Sequence, residues 1–311
     1  MPLDTYIVIG TLFEISLRQP AVIRRSIGRP VSILIDDQNG QFRNPKGFPK
    51  AYEVLINAAF ADPACKYVWV MGDDALPEGD CLARTQAVME ADETVGAVFP
   101  VEMWLEAGAH PEFKDIVTIL PFDGRKVFYA KAGIPEVPGP LEDRSIPQIF
   151  PGMACACIRR EAWQAIGACF DHSLGRGYCE DTDVGIRMWK AGYHVLNYRG
   201  AWFLHDRGAT YNRLVADGVY RAEEPYEAAE RLKVKWPFMW RNPDPQESSR
   251  EIMEILKGWY EEAREVKAHE APYPPVPVRC GRCGEVLTPK AIDHVLEHPL
   301  CCDCFDAEVL K

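Results

Sequence analysis

Two pairs of adjacent carboxylates, each placed directly after a short apolar run, are the residues of this sequence best suited to chemistry. The run VSILI is followed by Asp36 and Asp37, and the run YVWVMG by Asp73 and Asp74. Carboxylate oxygens are the ligands a hard divalent cation selects, and such a cation neutralises a nucleotide diphosphate and the charge that builds as it departs. Aspartate after a strand is also a common turn residue; two pairs with equivalent placement favour the chemical reading. A third acidic group, Glu180, Asp181 and Asp183, follows a glycine-rich turn and opens a helical segment. A helix N-terminus favours negative charge whatever its function. Here, however, Gly175 and Gly177 let backbone approach a ligand closely, and a carboxylate kept ionised beside them can take a proton from an acceptor hydroxyl. His205, in AWFLHDRG, is a further candidate metal ligand.

A second chemistry is written in the cysteines. Of eleven, six (Cys65, Cys81, Cys155, Cys157, Cys169 and Cys179) are scattered among apolar or small residues and read as small buried hydrophobes. The other five crowd into the last 32 residues, where Cys280-Gly-Arg-Cys283, seventeen intervening residues and Cys301-Cys-Asp-Cys304 match the spacing of a structural Zn2+ site. Cys302 is surplus to that set, and His294 and His298 offer a Cys2His2 alternative with a shorter spacing than usual. So short a segment with few large apolar side chains needs a metal to fold. It carries four basic against six acidic residues, which makes protein docking or bracing of the fold at least as apt as nucleic-acid binding.

The elements that must position these residues alternate in type. Short β-branched or aromatic runs at 5–10, 31–35, 67–71 and 95–101 predict buried strands, and helical spacing covers 15–27, 49–61 and 79–91 between them. That order implies an α/β fold with a mostly parallel sheet covered by helices on both faces, whose ligands bind outside the carboxyl ends of the strands. Residues 102–150, rich in Pro and Gly, read as an irregular or short-stranded excursion. Then come a short strand and helix over 151–166, a helix over 180–191 stopped by Gly192, and two strand-like runs between Tyr193 and Leu204. Ser248 and Glu251 form a capping box for a helix reaching about 268, with an apolar stripe of Ile252, Ile255, Leu256, Trp259 and Ala263. APYPPVPV at 271–278 is a stiff extended linker.

Bulk properties narrow the classes. A hydrophobic content of 47% suits a packed core, and a net charge of −11 disfavours broad attachment to nucleic acid or anionic membranes, though a nucleic-acid acceptor stays open. Neither a secretory leader nor an apolar run long enough to span a membrane stands in the sequence, so a cytoplasmic location is expected.

Taken in order, residues 5 to about 210 resemble the inverting glycosyltransferase family 2, which has the GT-A fold. The most specific stretch runs from CACIRREAWQAIGACFDHSLGRGYCEDTDVGIRMWKAGY to the His of AWFLH, similar to the family's Arg-Arg-Glu, Ile-Gly, Phe-Asp, Glu-Asp-x-Asp, Ala-Gly-Tyr and later His. The resemblance implies that Thr11 and Asp36 line the pocket for the donor's base and ribose, with Asp37 beside them. It makes Asp74 the metal carboxylate of the family's Asp-x-Asp motif, Asp181 the base with Glu180 beside it, and His205 the residue completing a Mn2+ or Mg2+ site. The first Asp of Asp-x-Asp falls on Gly72, so that either Asp73 substitutes for it or the metal relies on Asp74 and His205.

The organisation this implies is a GT-A catalytic domain at 1–210, a helical extension at 211–270, the linker, and a zinc-ribbon-like module at 279–311. The expected activity is transfer of a sugar from a nucleotide-sugar donor to a hydroxyl of a glycan, protein, small molecule or modified nucleic-acid base. Two other readings stay open: a nucleotidyltransferase, for which GTLFEISLRQP is a poor phosphate loop, and an inactive GT-A scaffold serving as a zinc-anchored binding protein.

Overall fold

The computed structural model describes residues 3–11, 19–37, 47–104, 112–113, 118–120, 128–130, 143–205, 214–242 and 245–267. Each apolar run read as a strand is one. In chain order the strands are β1 (Thr5–Thr11), β2 (Ser32–Asp37), β3 (Tyr67–Gly72), β4 (Ala75–Pro77), β5 (Val95–Trp104), β6 (Glu112–Phe113), β7 (Thr118–Leu120), β8 (Phe128–Ala130), β9 (Ser145–Pro147), β10 (Cys155–Arg159) and β11 (His194–His205). The helices are α1 (Gln19–Ile27), α2 (Phe48–Ala61), α3 (Cys81–Ala91), α4 (Arg160–Ala165), α5 (Glu180–Lys190), α6 (Glu224–Lys235) and α7 (Pro245–Lys267). Residues 15–18 of the first expected helix lie outside the described residues.

Period-two alternation sends the two faces of each strand to different cores. Val8, Val68, Val70, Ala97, Phe99, Ala156 and Ile158 face one side, where they meet α2, α4, α5, α6 and α7. Ile7, Ile9, Trp69, Met71, Val98, Cys155 and Cys157 face the other, against Ile23 and Ile27 of α1 and Cys81, Leu82 and Met89 of α3. The sheet is therefore covered by helices on both faces. Five of the six scattered cysteines are buried, and burial pushes the Cys65 and Cys81 thiols up to about 12, which makes them inert packing groups.

The strand order is β2-β1-β3-β10-β5-β11-β4, with β6 added to β5, β9 to β11, and a separate β7-β8 pair. β2, β1 and β3 are mutually parallel, as are β5 and β11; β10, β4, β9 and β6 enter antiparallel. The parallel run read from the sequence is thus interrupted at β10, which returns between β3 and β5 after the 102–150 excursion.

Two local expectations are corrected. The two strand-like runs between Tyr193 and Leu204 are one strand, β11, whose pairing with β5 jumps from Tyr198–Pro100 to Trp202–Val101. Ser248 does not cap α7: the helix starts earlier, at Pro245, where a residue with no N–H loses nothing. Ser248 is buried inside it, donating to the Met239 carbonyl at 3.5 Å. The apolar stripe is as expected, with Ile252 and Leu256 fully buried. Among the described residues no helix is long and apolar enough to cross a membrane.

Candidate active site

The site is built at the carboxyl ends of the first three strands because they end level. Gly10 of β1 stands opposite Asp36 of β2 on one side and Gly72 of β3 on the other, and Thr11 stands opposite Asp37. With neighbouring strands about 4.8 Å apart, the Asp36 and Gly72 backbones are separated by roughly 10 Å across β1. Thr11, Asp36, Asp37, Asp73 and Asp74 are thereby brought to one rim of the sheet. The side chains of Thr11, Asp36 and Asp37 lie outside the described part of the structure. Tyr52, in the first turns of α2, seals this rim from behind, its hydroxyl donating to the Met71 carbonyl at 2.6 Å.

Asp73 and Asp74 form the turn between β3 and β4, and β4 pairs with the far end of β11, so that Ala75 stands opposite His205. The pairing carries two residues remote in the chain into contact: His205 Nε2 lies 3.3 Å from Asp74 Oδ1. The other ring nitrogen, Nδ1, is hydrogen-bonded to Glu102 Oε1. Glu102 lies on β5 opposite Phe203, so it and His205 are diagonal neighbours on one face of the sheet. Side-chain exposure falls along this row from 21% at Asp74 through 14% at His205 to 4% at Glu102, so the row runs from the rim inward. Burial alone would lower the imidazole's pKa, but hydrogen bonds to Asp74 and Glu102 and their two charges outweigh it and lift His205 to about 10. Both ring nitrogens of His205 are thus engaged by carboxylates.

A carboxylate and an imidazole form a donor set that suits Mn2+, and such ions complete their shells with water and substrate phosphates. Among the described residues no group of three or more His, Cys, Asp or Glu side chains is arranged to hold a metal ion. Glu102 does not add a third ligand because it sits behind the ring, on Nδ1. The absence of a side chain at residue 72 has a local reason: a Cβ there would come within 2.6 Å of Asp74 Oδ1, so Gly72 makes room for the Asp74 carboxylate where it lies.

The third acidic cluster separates into three roles. Asp183 is fully buried and accepts from Arg187 Nε at 2.8 Å, Trp236 Nε1 at 2.8 Å and Lys235 Nζ at 2.6 Å. It is a tie between α5 and α6. Glu180 is buried, with Oε2 unpartnered among the described residues, and burial together with the neighbouring Asp181 charge pushes its carboxyl up to about 8. Asp181 alone of the three is partly exposed, and its Oδ1 accepts from the Thr182 N–H at 2.7 Å.

The backbone before this helix is strained: Tyr178 and Cys179 have φ of 93° and 65°, uncommon for residues with side chains. It is pinned in place from two sides. The Arg176 carbonyl accepts from the Phe48 N–H at 2.8 Å, tying the glycine turn to the start of α2, which leaves the same end of the sheet as the strand before it. The Arg176 guanidinium pairs with Glu224 at 2.5 Å and lies 4.3 Å from the Tyr220 ring. The glycine turn before the acidic cluster is thus tied to α2, where Phe48 stacks on Tyr52, the residue that reaches the Met71 carbonyl near the rim.

Sequence reasoning missed Glu102 and Arg176. Glu102 carries the same signal as Asp36 and Asp74, a carboxylate closing an apolar run; Arg176 carried no signal, since its partners come from α6 and the segment before it. Cys280, Cys283, Cys301 and Cys304 lie outside the described residues.

No protein-family model matches the chain, and no curated protein does. Among solved structures it is similar to GalNAc-T7 with UDP, GalNAc and Mn2+, at 14% identity and a TM-score of 0.50 over 89% of this chain and 60% of that one. It is also similar to the mannosyltransferase PcManGT from Pyrobaculum calidifontis in complex with GDP-Man and Mn2+ (12% identity, TM-score 0.37, 85% of each chain). A third similar structure is the catalytic domain of Drosophila beta1,4galactosyltransferase 7 with xylobiose (17%, 0.37, 63% of this chain and 64% of that one). The chain spans about 60% of the length of GalNAc-T7 in that structure. A mixed sheet between two helical layers, matched along most of its length by the first of these, is the GT-A fold.

Proposed function

We propose that this chain is a metal-dependent inverting glycosyltransferase that moves a sugar from a nucleotide-sugar donor to an acceptor hydroxyl. The observation that carries the reading is the meeting of Asp74 and His205 at the rim where β1, β2 and β3 end. These two residues would hold Mn2+ or Mg2+, with Asp73 beside them at the donor, and the bound ion would supply positive charge to the donor's departing diphosphate. Thr11, Asp36 and Asp37 take the base and ribose from the ends of β1 and β2. Asp181 accepts the proton of the acceptor hydroxyl as that oxygen bonds to the anomeric carbon. It stands in the first turn of α5, at the end of the helix that favours negative charge. Glu180 supports it from the buried side. Likeness in fold to a protein solved with UDP, GalNAc and Mn2+ supports a nucleotide sugar as the donor.

A panel of nucleotide sugars, with and without Mn2+, tests this by thermal shift. Stabilisation by a nucleoside diphosphate sugar only in the presence of Mn2+ is expected. A response restricted to nucleoside triphosphates would transfer the site to a nucleotidyltransferase. A non-catalytic scaffold is favoured by one feature, the pairing of His205 with carboxylates on both ring nitrogens, which satisfies the site without an ion; it predicts no metal-dependent shift at all. At the C-terminus, Cys280, Cys283, Cys301 and Cys304 are proposed to hold Zn2+ in a module that docks a partner or braces the chain. One zinc per chain by elemental analysis, lost with C283S, is the expected result.

A further inference from the structure

We infer that Glu102 is a positioning residue for the cation site, fixing the His205 ring and its tautomer so that Nε2 is the nitrogen offered beside Asp74. The inference rests on the metal-dependent reading above and goes beyond it by assigning a residue outside the ligand pair. Three observations carry it. Glu102 is 3% exposed and belongs to β5, whereas His205 belongs to β11 and Asp74 to the turn after β3, so the three are delivered by separate strands to one line. The line has a direction. Nδ1 is engaged inward by Glu102 and Nε2 faces outward to Asp74, whose side chain is the most exposed of the three.

The third observation is the irregular pairing of β11. The register of β11 against β5 passes from Tyr198–Pro100 directly to Trp202–Val101, so β11 carries three extra residues, 199–201, over this step. This odd-numbered insertion decides which face of the sheet the last residues of β11 present, because side chains alternate along a strand. With it, His205 lies on the face that carries Glu102. A neutral imidazole that donates from Nδ1 to a carboxylate has its Nε2 lone pair free for a cation, and the carboxylate raises its basicity. A buried Glu at this point is otherwise an unfavourable choice, since an apolar residue would fill the end of β5 without desolvating a charge.

The test is a double-mutant cycle on the full chain with MnCl2 as the probe, free Mn2+ being read by EPR in the presence and absence of UDP. E102Q keeps the volume of the side chain, and its fold is checked by its melting temperature. In the background with His205 intact, E102Q is expected to weaken Mn2+ binding about 10- to 100-fold. With H205A it is expected to cause no further loss, because its only route to the ion has been removed. Equal Mn2+ affinity of wild type and E102Q would overturn the inference while leaving the cation site standing. Equal losses in both backgrounds would overturn it too, by showing that Glu102 acts through packing rather than through His205. A wild-type chain that takes up no Mn2+ under either condition, or one whose uptake is unaffected by H205A, would remove the cation site and this inference together.

Discussion

At the scale of single residues, the acidic cluster at the start of α5 shows why neighbouring carboxylates should not be given one role. Asp181 is partly exposed, whereas Asp183 is enclosed by Arg187, Lys235 and Trp236. D181N should lower turnover by about 100- to 10,000-fold, the usual weight of a general base, with melting temperature and donor binding nearly unchanged. D183A should do the reverse. Removing it leaves two cations and an indole N–H without their shared acceptor, a loss of about 3–5 kcal/mol in a denaturant titration. Should D181N unfold the protein and D183A only slow it, the assignments must be exchanged. Glu180 makes a third case, decided by pH. Its carboxyl is raised from 4.5 to about 8 in the folded chain, so the folded state holds a proton that the unfolded state has released. Unfolding free energy therefore falls as pH rises from about 4.5 through 8, and E180Q, which cannot ionise, should not share that fall. Wild-type and E180Q stability curves that stay parallel across this window would show that Glu180 is ionised in the folded protein.

At the scale of elements, the docking of α5 decides whether those side chains reach the rim at all. Gly185 lies in mid-helix, where Ala would ordinarily gain about 1 kcal/mol. Here, however, a Cβ at 185 would run into the Ile149 carbonyl and come within 2.7 Å of the Phe150 Cα, both of them backbone. G185A should therefore destabilise by about 1–3 kcal/mol through overpacking, and it should also impair activity by shifting the first turn of α5. A stabilised variant would mean that the helix is free to move outward. Elements of this kind were legible in the sequence to unequal degrees. The apolar runs TYIVIG and YVWVM, and the acidic pairs that close two strands, follow from local residue order, and so the placement of Asp36, Asp37, Asp73 and Asp74 at the strand ends was readable. The length of β5 was not. Pro100 and the Gly/Pro-rich stretch beyond it mark an end at Val101, yet the strand runs to Trp104. β10 pairs only with Ala97 and Val98, so on that side Pro100 has no ladder bond to lose. Glu102 therefore closes the apolar run in the sequence but stands inside the strand in the fold, facing His205 and not a turn. The register jump in β11 between Tyr198 and Trp202, the merging of two runs into β11 and the antiparallel entry of β10 depend on partners distant in sequence, which no local pattern records.

At the scale of the whole molecule, the helices after residue 214 share the core of the sheet rather than forming a core of their own. Ala228, Ala229 and Leu232 of α6 and Ile252, Met253 and Leu256 of α7 belong to the same buried cluster as Val68, Phe99 and Trp163. The Tyr260 ring stacks on His194 at 3.9 Å, and Trp259 meets Phe238 edge-on at 5.2 Å. Burying each of the three large α7 side chains is worth about 1.5–3 kcal/mol, so losing all of them removes roughly 5–9 kcal/mol. That is comparable to the 5–15 kcal/mol by which whole domains are stable. Two truncations therefore separate what the catalytic fold needs from what is appended to it. A chain ending after Arg241 should fail to unfold cooperatively or should aggregate, since the face of α5 around Trp189 loses its cover. A chain ending after Lys267, which lacks all of the C-terminal cysteines, should keep a single transition in urea and the Mn2+-dependent response to donor while losing its zinc. If instead the longer truncation product loses its cooperative transition, residues 268–311 are part of the fold itself, and the proposed boundary at the Pro-rich linker is wrong.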